Sequence, residues 1–245
     1  MKEDVTKIVG RNPVREAIRS GRNINKIYVA NGETDYTLSQ IIKLAKEHDI
    51  FVQRTDRRKL DLMSGNASHQ GVVAICSAVR FATVEDILEL AREREEKPFI
   101  VMLDGITDPH NAGAIIRSAY CAGAHGVIFA ERRSAGIGEG VFKASAGSIE
   151  YIKIAQVTNL AQTLDALKQI GLFAVACDMD GTTYYDIDYD MPLVIIVGAE
   201  GKGVSRLIRE KSDFVATIPM KASFDSLNAS VAAGIVMFEA LRQRG

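Results

Sequence analysis

Four polar side chains sit among small or apolar neighbours. They are Asn111 and Arg117 in DPHNAGAIIRSA (108–119), Glu200 in VGAEGKGVS (197–205) and Asn228 in IPMKASFDSLNASVAAG (218–234). A core helix needs neither a carboxamide nor a guanidinium. Together with a carboxylate, these groups can orient a reacting centre, bind a phosphate and stabilise developing negative charge. Asn111 and Arg117 are six residues apart, about 600° of helical rotation, so one helix face does not carry both. If Asn111 lies in the turn before the helix, both could still reach one pocket.

Each stretch follows an apolar run that reads as a strand: 99–103, 193–198 and 214–218. In VGAEGKG the glycines allow close backbone approach to a ligand. The loop lacks the Lys-Ser/Thr of a phosphate-binding P-loop and is not the GxGxxG dinucleotide fingerprint. Glu200 would repel a phosphate, so a neutral or cationic ligand fits better. Pro219 ends a strand. Asp225 or Ser226 is expected to cap the helix starting near Leu227, with Leu227, Val231, Ile235, Phe238 and Leu241 on its apolar face. Simpler readings exist for each residue. Asp104 and Asp108 can be turn formers, Arg117 a solvent-facing charge, Glu200 an exposed residue of a glycine-rich turn and Asn228 a secondary cap.

The elements that must position these groups form two patterns. Residues 1–79 read as a small α/β or α+β unit. It has a helix after GRNP with Pro13 in its first turn, strands at 26–30, 50–54 and 71–77, a helix at 37–49, and a polar, basic stretch at 55–70. Residues 80–97 are charge-dense and read as a linker helix behind Thr83. From 98 to 245, continuous apolar runs at 99–103, 126–129, 152–155, 172–177, 193–198 and 214–218 suit a parallel sheet covered on both faces. Helical patterns fall at 112–122, 158–169, 204–210 and 227–241. This predicts a doubly wound α/β domain with its ligands at the strands' C-terminal ends.

Composition narrows the class. The chain has 245 residues, 47% hydrophobic and 25% charged, as expected of a soluble globular protein. MKEDVTKIVG has no apolar signal region, and no run reaches membrane-spanning length. Three scattered cysteines fit a reducing cytoplasm, and four dispersed histidines give no zinc spacing. Residues 1–80 carry 14 Lys and Arg against 9 Asp and Glu, while 81–245 carry 16 against 22. A basic N-terminal third suits a nucleic-acid face or a solvated basic surface.

Taken in order and spacing, the three stretches resemble the three motifs of the SpoU (TrmH) family of RNA 2′-O-ribose methyltransferases, in the SPOUT superfamily. GRNPVREAI (10–18) and SHQGVVA (68–74) resemble the same family's substrate-binding domain, so nearly the whole chain is covered. The resemblance implies an α/β SPOUT domain with a parallel sheet and a C-terminal trefoil knot, preceded by a small L30e/L7Ae-like α/β domain. It implies S-adenosylmethionine as cofactor, RNA as substrate, a homodimer and no metal. By resemblance Asn111, Arg117, Glu200 and Asn228 are the polar site residues, with Ser226 beside them. The cofactor would be held near Gly198, Gly201, Ile218, Met220 and Leu227. Arg11, Asn12, Arg54, Arg57, Arg58 and Lys59 are the candidate RNA contacts. One residue departs from the pattern: Ala222 stands where the family usually has Gly.

A guanidinium with a pKa above ~12 is a poor general base, so Arg117 is expected to bind the adjacent phosphate and stabilise alkoxide charge. Glu200 is expected to orient Arg117 or Asn111. In this family the site lies at a homodimer interface, so Asn111 and Arg117 need not serve the same site. The closest likeness is to the branch that methylates a guanosine of 23S rRNA. Transfer RNA methylation within the same family and a non-catalytic rRNA-binding protein are the alternatives. A nucleotide-dependent oxidoreductase lacks its GxGxxG.

Overall fold

A computed structural model describes residues 5–32, 35–65, 67–77, 81–132, 134–221 and 226–245. Ala222 and Asp225 lie outside the described residues. The chain forms two compact units, one of residues 1–80 with 137–151 and one of 81–136 with 152–245.

In the first unit, β1 (Val5–Val9), β2 (Ile24–Ala30), β3 (Val52–Thr55) and β4 (Val72–Ser77) form a sheet in the order β1-β4-β2-β3. Only β2 and β3 are parallel to each other; β4 runs antiparallel to β1 and β2. Helix α1 (Arg11–Arg19) has Pro13 in its first turn, and α2 (Tyr36–Glu47) is capped by Asp35, whose side chain accepts from Leu38 N. The basic stretch 55–70 is not all loop: Arg57–Met63 is a helix, α3. Its Leu60 is buried with Val9, Ala30 and Val73. One apolar anchor among charges is too weak a period to read as a helix. Strand β1 was also illegible, because its lysine breaks a short apolar run.

Residues 137–151 fall inside the segment read as the large domain, yet they pack in the first unit. Here Arg22 and Glu150 form an ion pair at 2.7 Å, with side chains only 10% and 9% exposed. The Arg22 guanidinium also lies 4.6 Å from the Phe142 ring centroid. Burial pushes the Glu150 carboxyl up and the neighbouring guanidinium pulls it down. Removing one partner of such a pair costs about 3–5 kcal/mol, because the other charge stays buried alone.

In the second unit, six parallel strands take the order β10-β8-β9-β5-β6-β7. They are β5 (Phe99–Asp104), β6 (Gly126–Ala130), β7 (Lys153–Val157), β8 (Phe173–Thr183), β9 (Leu193–Gly198) and β10 (Phe214–Thr217). Every residue of β9 is buried, as a central strand covered on both faces requires. The stretch read as a linker carries α4 (Val84–Glu93), whose N-terminus is a Thr83–Asp86 capping box. This helix packs on the sheet: Ile87 and Leu88 belong to its core. Gly126 makes room for it, since a Cβ there would come within 2.5 Å of Ile87. The remaining α-helices among the described residues are α5 (Pro109–Cys121), α6 (Glu139–Ala144, in the first unit), α7 (Leu160–Gln169), α8 (Arg206–Lys211) and α9 (Ala229–Arg244).

Helix α9 departs from expectation. Its buried side is Ala229, Ala233, Val236, Met237 and Ala240, while Val231, Phe238 and Leu241 are exposed. The small residues let α9 approach α5 and the sheet closely, and the larger apolar ones are left outside.

A buried histidine ties α4's end to β5. His125 Nδ1 accepts from Phe99 N at 3.0 Å, so Nε2 carries the proton and donates to Glu96 at 3.0 Å. Burial holds this imidazole below its ordinary 6.5, against the opposing pull of Glu96. The unfolded chain therefore takes up a proton near pH 6.5 before the folded one does. Stability is full above pH 6.5 and falls as pH drops from there through the lower folded pKa. Thermal melts across that window should show the loss in the wild type, and His125→Gln should flatten it while lowering stability at neutral pH.

Candidate active site

The site grows from strand ends. The C-terminal ends of β9 and β10, the middle of β8 and the segment entering α9 surround a cavity of about 530 Å³. Gly198, Gly201, Ile218, Met220 and Leu227 all line it, and so do Glu200 and Ser226. The loop after β9 folds back on itself through Gly203 N donating to Ala199 O at 2.8 Å. Gly198 permits this fold: a Cβ there would lie 2.0 Å from the Gly203 carbonyl carbon. Asp104, at the end of β5, accepts from Ser205 N at 2.7 Å and fixes the far side of the same loop.

The polar residues meet at the edge of the cavity. Asp108 caps α5 by accepting from His110 N and Asn111 N. Asn111 is therefore inside the first turn of the helix, not in the turn before it, and is 7% exposed. Its Nδ2 donates to Glu200 Oε2 at 3.3 Å, and its Oδ1 accepts from Asn228 Nδ2 at 2.9 Å. Asn228 is itself the cap of α9, a correction to the expected Asp225 or Ser226: its Oδ1 accepts from Ser230 N at 3.0 Å and from Ser230 Oγ. Both ends of this chain are chemically fixed. A backbone N–H can only donate and an ionised carboxylate can only accept. Both carboxamides are therefore oriented without ambiguity, and every bond points its proton toward Glu200.

Arg117 is not part of this group. It is exposed on α5, has no partner among the described residues and does not line the cavity. Six residues of helix carry it to another face than Asn111, and the single chain does not bring the two together.

Asp178, Met179, Lys202 and Thr217 also line the cavity and were not legible as site residues. The signal for Asp178 was its place directly after the apolar run 172–177, although the strand itself continues to Thr183. Its carboxylate is held by Arg209 at 3.2 Å. Beside it, burial pushes the Cys177 thiol up to about 12, and the Asp178 charge adds to the effect. Cys177 is thus a neutral lining group rather than a nucleophile. Among the described residues, no group of three His, Cys, Asp or Glu is placed to hold a metal ion.

The candidate RNA residues lie in the first unit. Arg11, Arg57, Asp61, Ser68, His69 and Gln70 are among the residues lining a separate polar cavity of about 410 Å³. Arg11 is held there: its Nε donates to Gln70 O at 2.9 Å and its guanidinium pairs with Asp35. Asn12, Arg54, Arg58 and Lys59 are exposed.

Residues 98–238 match the SpoU rRNA methylase family and residues 7–82 match the RNA 2′-O ribose methyltransferase substrate-binding family. The chain is 42% identical over 238 residues to YacO of Bacillus subtilis (strain 168), named among TrmH family tRNA/rRNA methyltransferases, covering 97% of this chain and 95% of YacO. The SpoU methyltransferase AviRb of Streptomyces viridochromogenes, solved in complex with the cofactor AdoMet, superposes with a TM-score of 0.81 at 26% identity, over 98% of this chain and 90% of that one. An AdoMet-bound rRNA methyltransferase of Sinorhizobium meliloti gives 0.79 at 26% identity, over 97% and 87%. The protein belongs to the SpoU (TrmH) family of RNA methyltransferases.

The hydrogen-bonded chain makes a sharp test. Asn228→Asp keeps an acceptor at the cap, which suits a helix N-terminus, but removes the donor to Asn111. Thermal stability should stay within about 1 kcal/mol of wild type, while methyl transfer falls. Asn228→Ala should lose both. Equal activity in Asn228→Asp and wild type would separate the chain from catalysis.

Proposed function

We propose that the protein transfers a methyl group from S-adenosylmethionine to a ribose 2′-hydroxyl of structured RNA, with a guanosine of 23S rRNA as the preferred acceptor. The observation that carries this reading is the oriented chain from Ser230 through Asn228 and Asn111 to Glu200, at the mouth of a cavity of ligand size.

The lining suits the cofactor. Apolar Ile218, Met220, Leu227 and Val236 offer a surface for an aromatic base, loop backbone offers hydrogen bonds, and Asp178 and Glu200 offer negative charge to a cation. A phosphate-bearing cofactor would meet the exposed Glu200 carboxylate, with Asp178 already paired to Arg209 and Lys202 in the lining. When bound, S-adenosylmethionine supplies an electrophilic methyl group on a sulfonium. The protein's own residues do the rest. Asn111 and Asn228 hold Glu200 in one position, so its charge is fixed rather than mobile. The neutral Cys177 thiol offers the methyl group no competing nucleophile. Arg117 binds the phosphate beside the acceptor ribose and stabilises the charge that grows as the hydroxyl proton leaves.

Arg117 does not line the cavity of its own chain. The exposed stripe Val231, Phe238 and Leu241 on α9 supports a homodimer. In that assembly Arg117 of one copy would serve the cavity of the other. The first unit would grip the RNA through Arg11, Asn12, Arg54, Arg57, Arg58 and Lys59. Three free cysteines and an RNA substrate fit the cytoplasm.

The deciding experiment is methyl transfer from labelled S-adenosylmethionine to unmodified 23S rRNA and, in parallel, to transfer RNA, with the product mapped as 2′-O-methyl. Label at one guanosine ribose of 23S rRNA is expected. Label only in transfer RNA would move the protein to the transfer-RNA branch. Cofactor binding with no label in either would favour a non-catalytic role. Arg117→Ala should retain cofactor binding and lose turnover by roughly 10²–10³-fold; full activity would remove Arg117 from the mechanism.

A further inference from the structure

The two faces of the small sheet are covered unequally. Alternation along the strands puts Ile8, Ile27, Val29 and Ala74 on one face, all buried. The opposite face carries Val9, Val73 and Ala30, which α3 covers with Leu60. Beyond α3 that face continues. Register places Lys7 opposite Ile75 and Ile75 opposite Lys26, one pair beyond the Val9–Val73–Tyr28 row. Helix α6 packs against β1, yet side chains at this end of the sheet stay accessible: Lys7 is exposed, Ile75 is half-buried, and Phe51, just before β3, is 60% exposed.

The groups gathered there are aromatic and cationic. Lys26 Nζ lies 5.1 Å from the Phe51 ring centroid and 5.6 Å from that of Tyr28, and Lys59 Nζ lies 5.3 Å from Tyr28. Among the described residues no carboxylate pairs with Lys7, Lys26 or Lys59. Lys26 and Lys59 lie over ring faces, and Lys26 also reaches the Gln53 carboxamide at 3.4 Å. Ammonium groups on flexible stems can swing from a ring to a phosphate, and the vacated ring face then accepts a base.

We propose that this sheet face is a stacking platform for unpaired bases of the substrate RNA, with Phe51 and Tyr28 beneath the bases and Lys7, Lys26 and Lys59 on the backbone phosphates. The proposal rests on the reading of the protein as an RNA methyltransferase whose first unit holds RNA. It adds the form of RNA that this unit takes here: single-stranded, because a paired base offers no free face for a ring. The surface differs from the polar cavity at Arg11 and Gln70, whose lining includes no Phe or Tyr among the described residues.

The test uses the full chain, a fluorescent single-stranded oligouridylate and an RNA hairpin with a fully paired stem. Phe51→Ala should weaken oligouridylate binding by about 5- to 150-fold, leave its salt slope unchanged and spare the hairpin. Phe51→Tyr should restore binding. Lys7→Ala should lower the salt slope by about 0.7. The platform is overturned if wild type fails to bind oligouridylate, if Phe51→Ala binds it as wild type does, or if the variant weakens both probes alike. Methyl transfer by wild type to bulk ribosomal and transfer RNA is measured alongside. Its absence would overturn the enzymatic reading, while its presence with an unaffected Phe51→Ala would overturn the platform alone.

Discussion

Two carboxamides set between a backbone N–H and a carboxylate organise the second unit's functional end. Asn228, Asn111 and Glu200 come from three segments far apart in sequence, each following a different strand. Parallel strands deliver those segments to one end of the sheet, but strand ends alone leave loops free to choose conformations. The chain of bonds removes that choice. It costs little, because Asn228 already caps α9 by accepting from Ser230 N, and Asn111 already sits in the first turn of α5. The cap of one helix is thereby wired to the cap region of another.

The β9 loop is held from three further directions: Gly203 N on Ala199 O, Asp104 on Ser205 N, and the close approach of Gly198 to Gly203. Backbone contacts thus fix the β9 loop that walls one side of the cavity, and side chains such as Ile218 and Leu227 line the rest. A backbone-built wall tolerates many side chains but few changes at its tightest glycine. Glu200 gains its orientation from Asn111 without being buried, so it can face a cation across the cavity and still be reached by solvent.

Much of this was legible in the sequence. Continuous apolar runs such as LVIIVG marked the central strands, since burial on both faces removes alternation. Strand-loop-helix order then told where polar residues would gather, and Gly198, Glu200, Ser226 and Leu227 do line one cavity. What escaped were features set by partners. The face that α9 buries could not be read from its apolar residues, because a helix rich in alanine and glycine packs by close approach rather than by bulk. The family resemblance points to Asn228 as a site residue, but its position alone suggests only a secondary cap, because its bond to Asn111 spans 117 residues. Arg117 could be singled out as a residue type but not placed, because six residues of helix set its direction.

The grouping of residues 137–151 with the first unit means that the chain passes between units three times rather than once. The family match to the substrate-binding region, 7–82, ends where that region's sequence ends, not where its fold ends. Glu150, the counter-charge that Arg22 needs, lies in sequence within the catalytic half. For this chain residue 80 is therefore not a clean boundary between modules. A chimera that took only residues 1–80 from another sequence would set that sequence's residue at position 22 against the buried Glu150 of this chain, and a mismatch there would leave a buried charge alone.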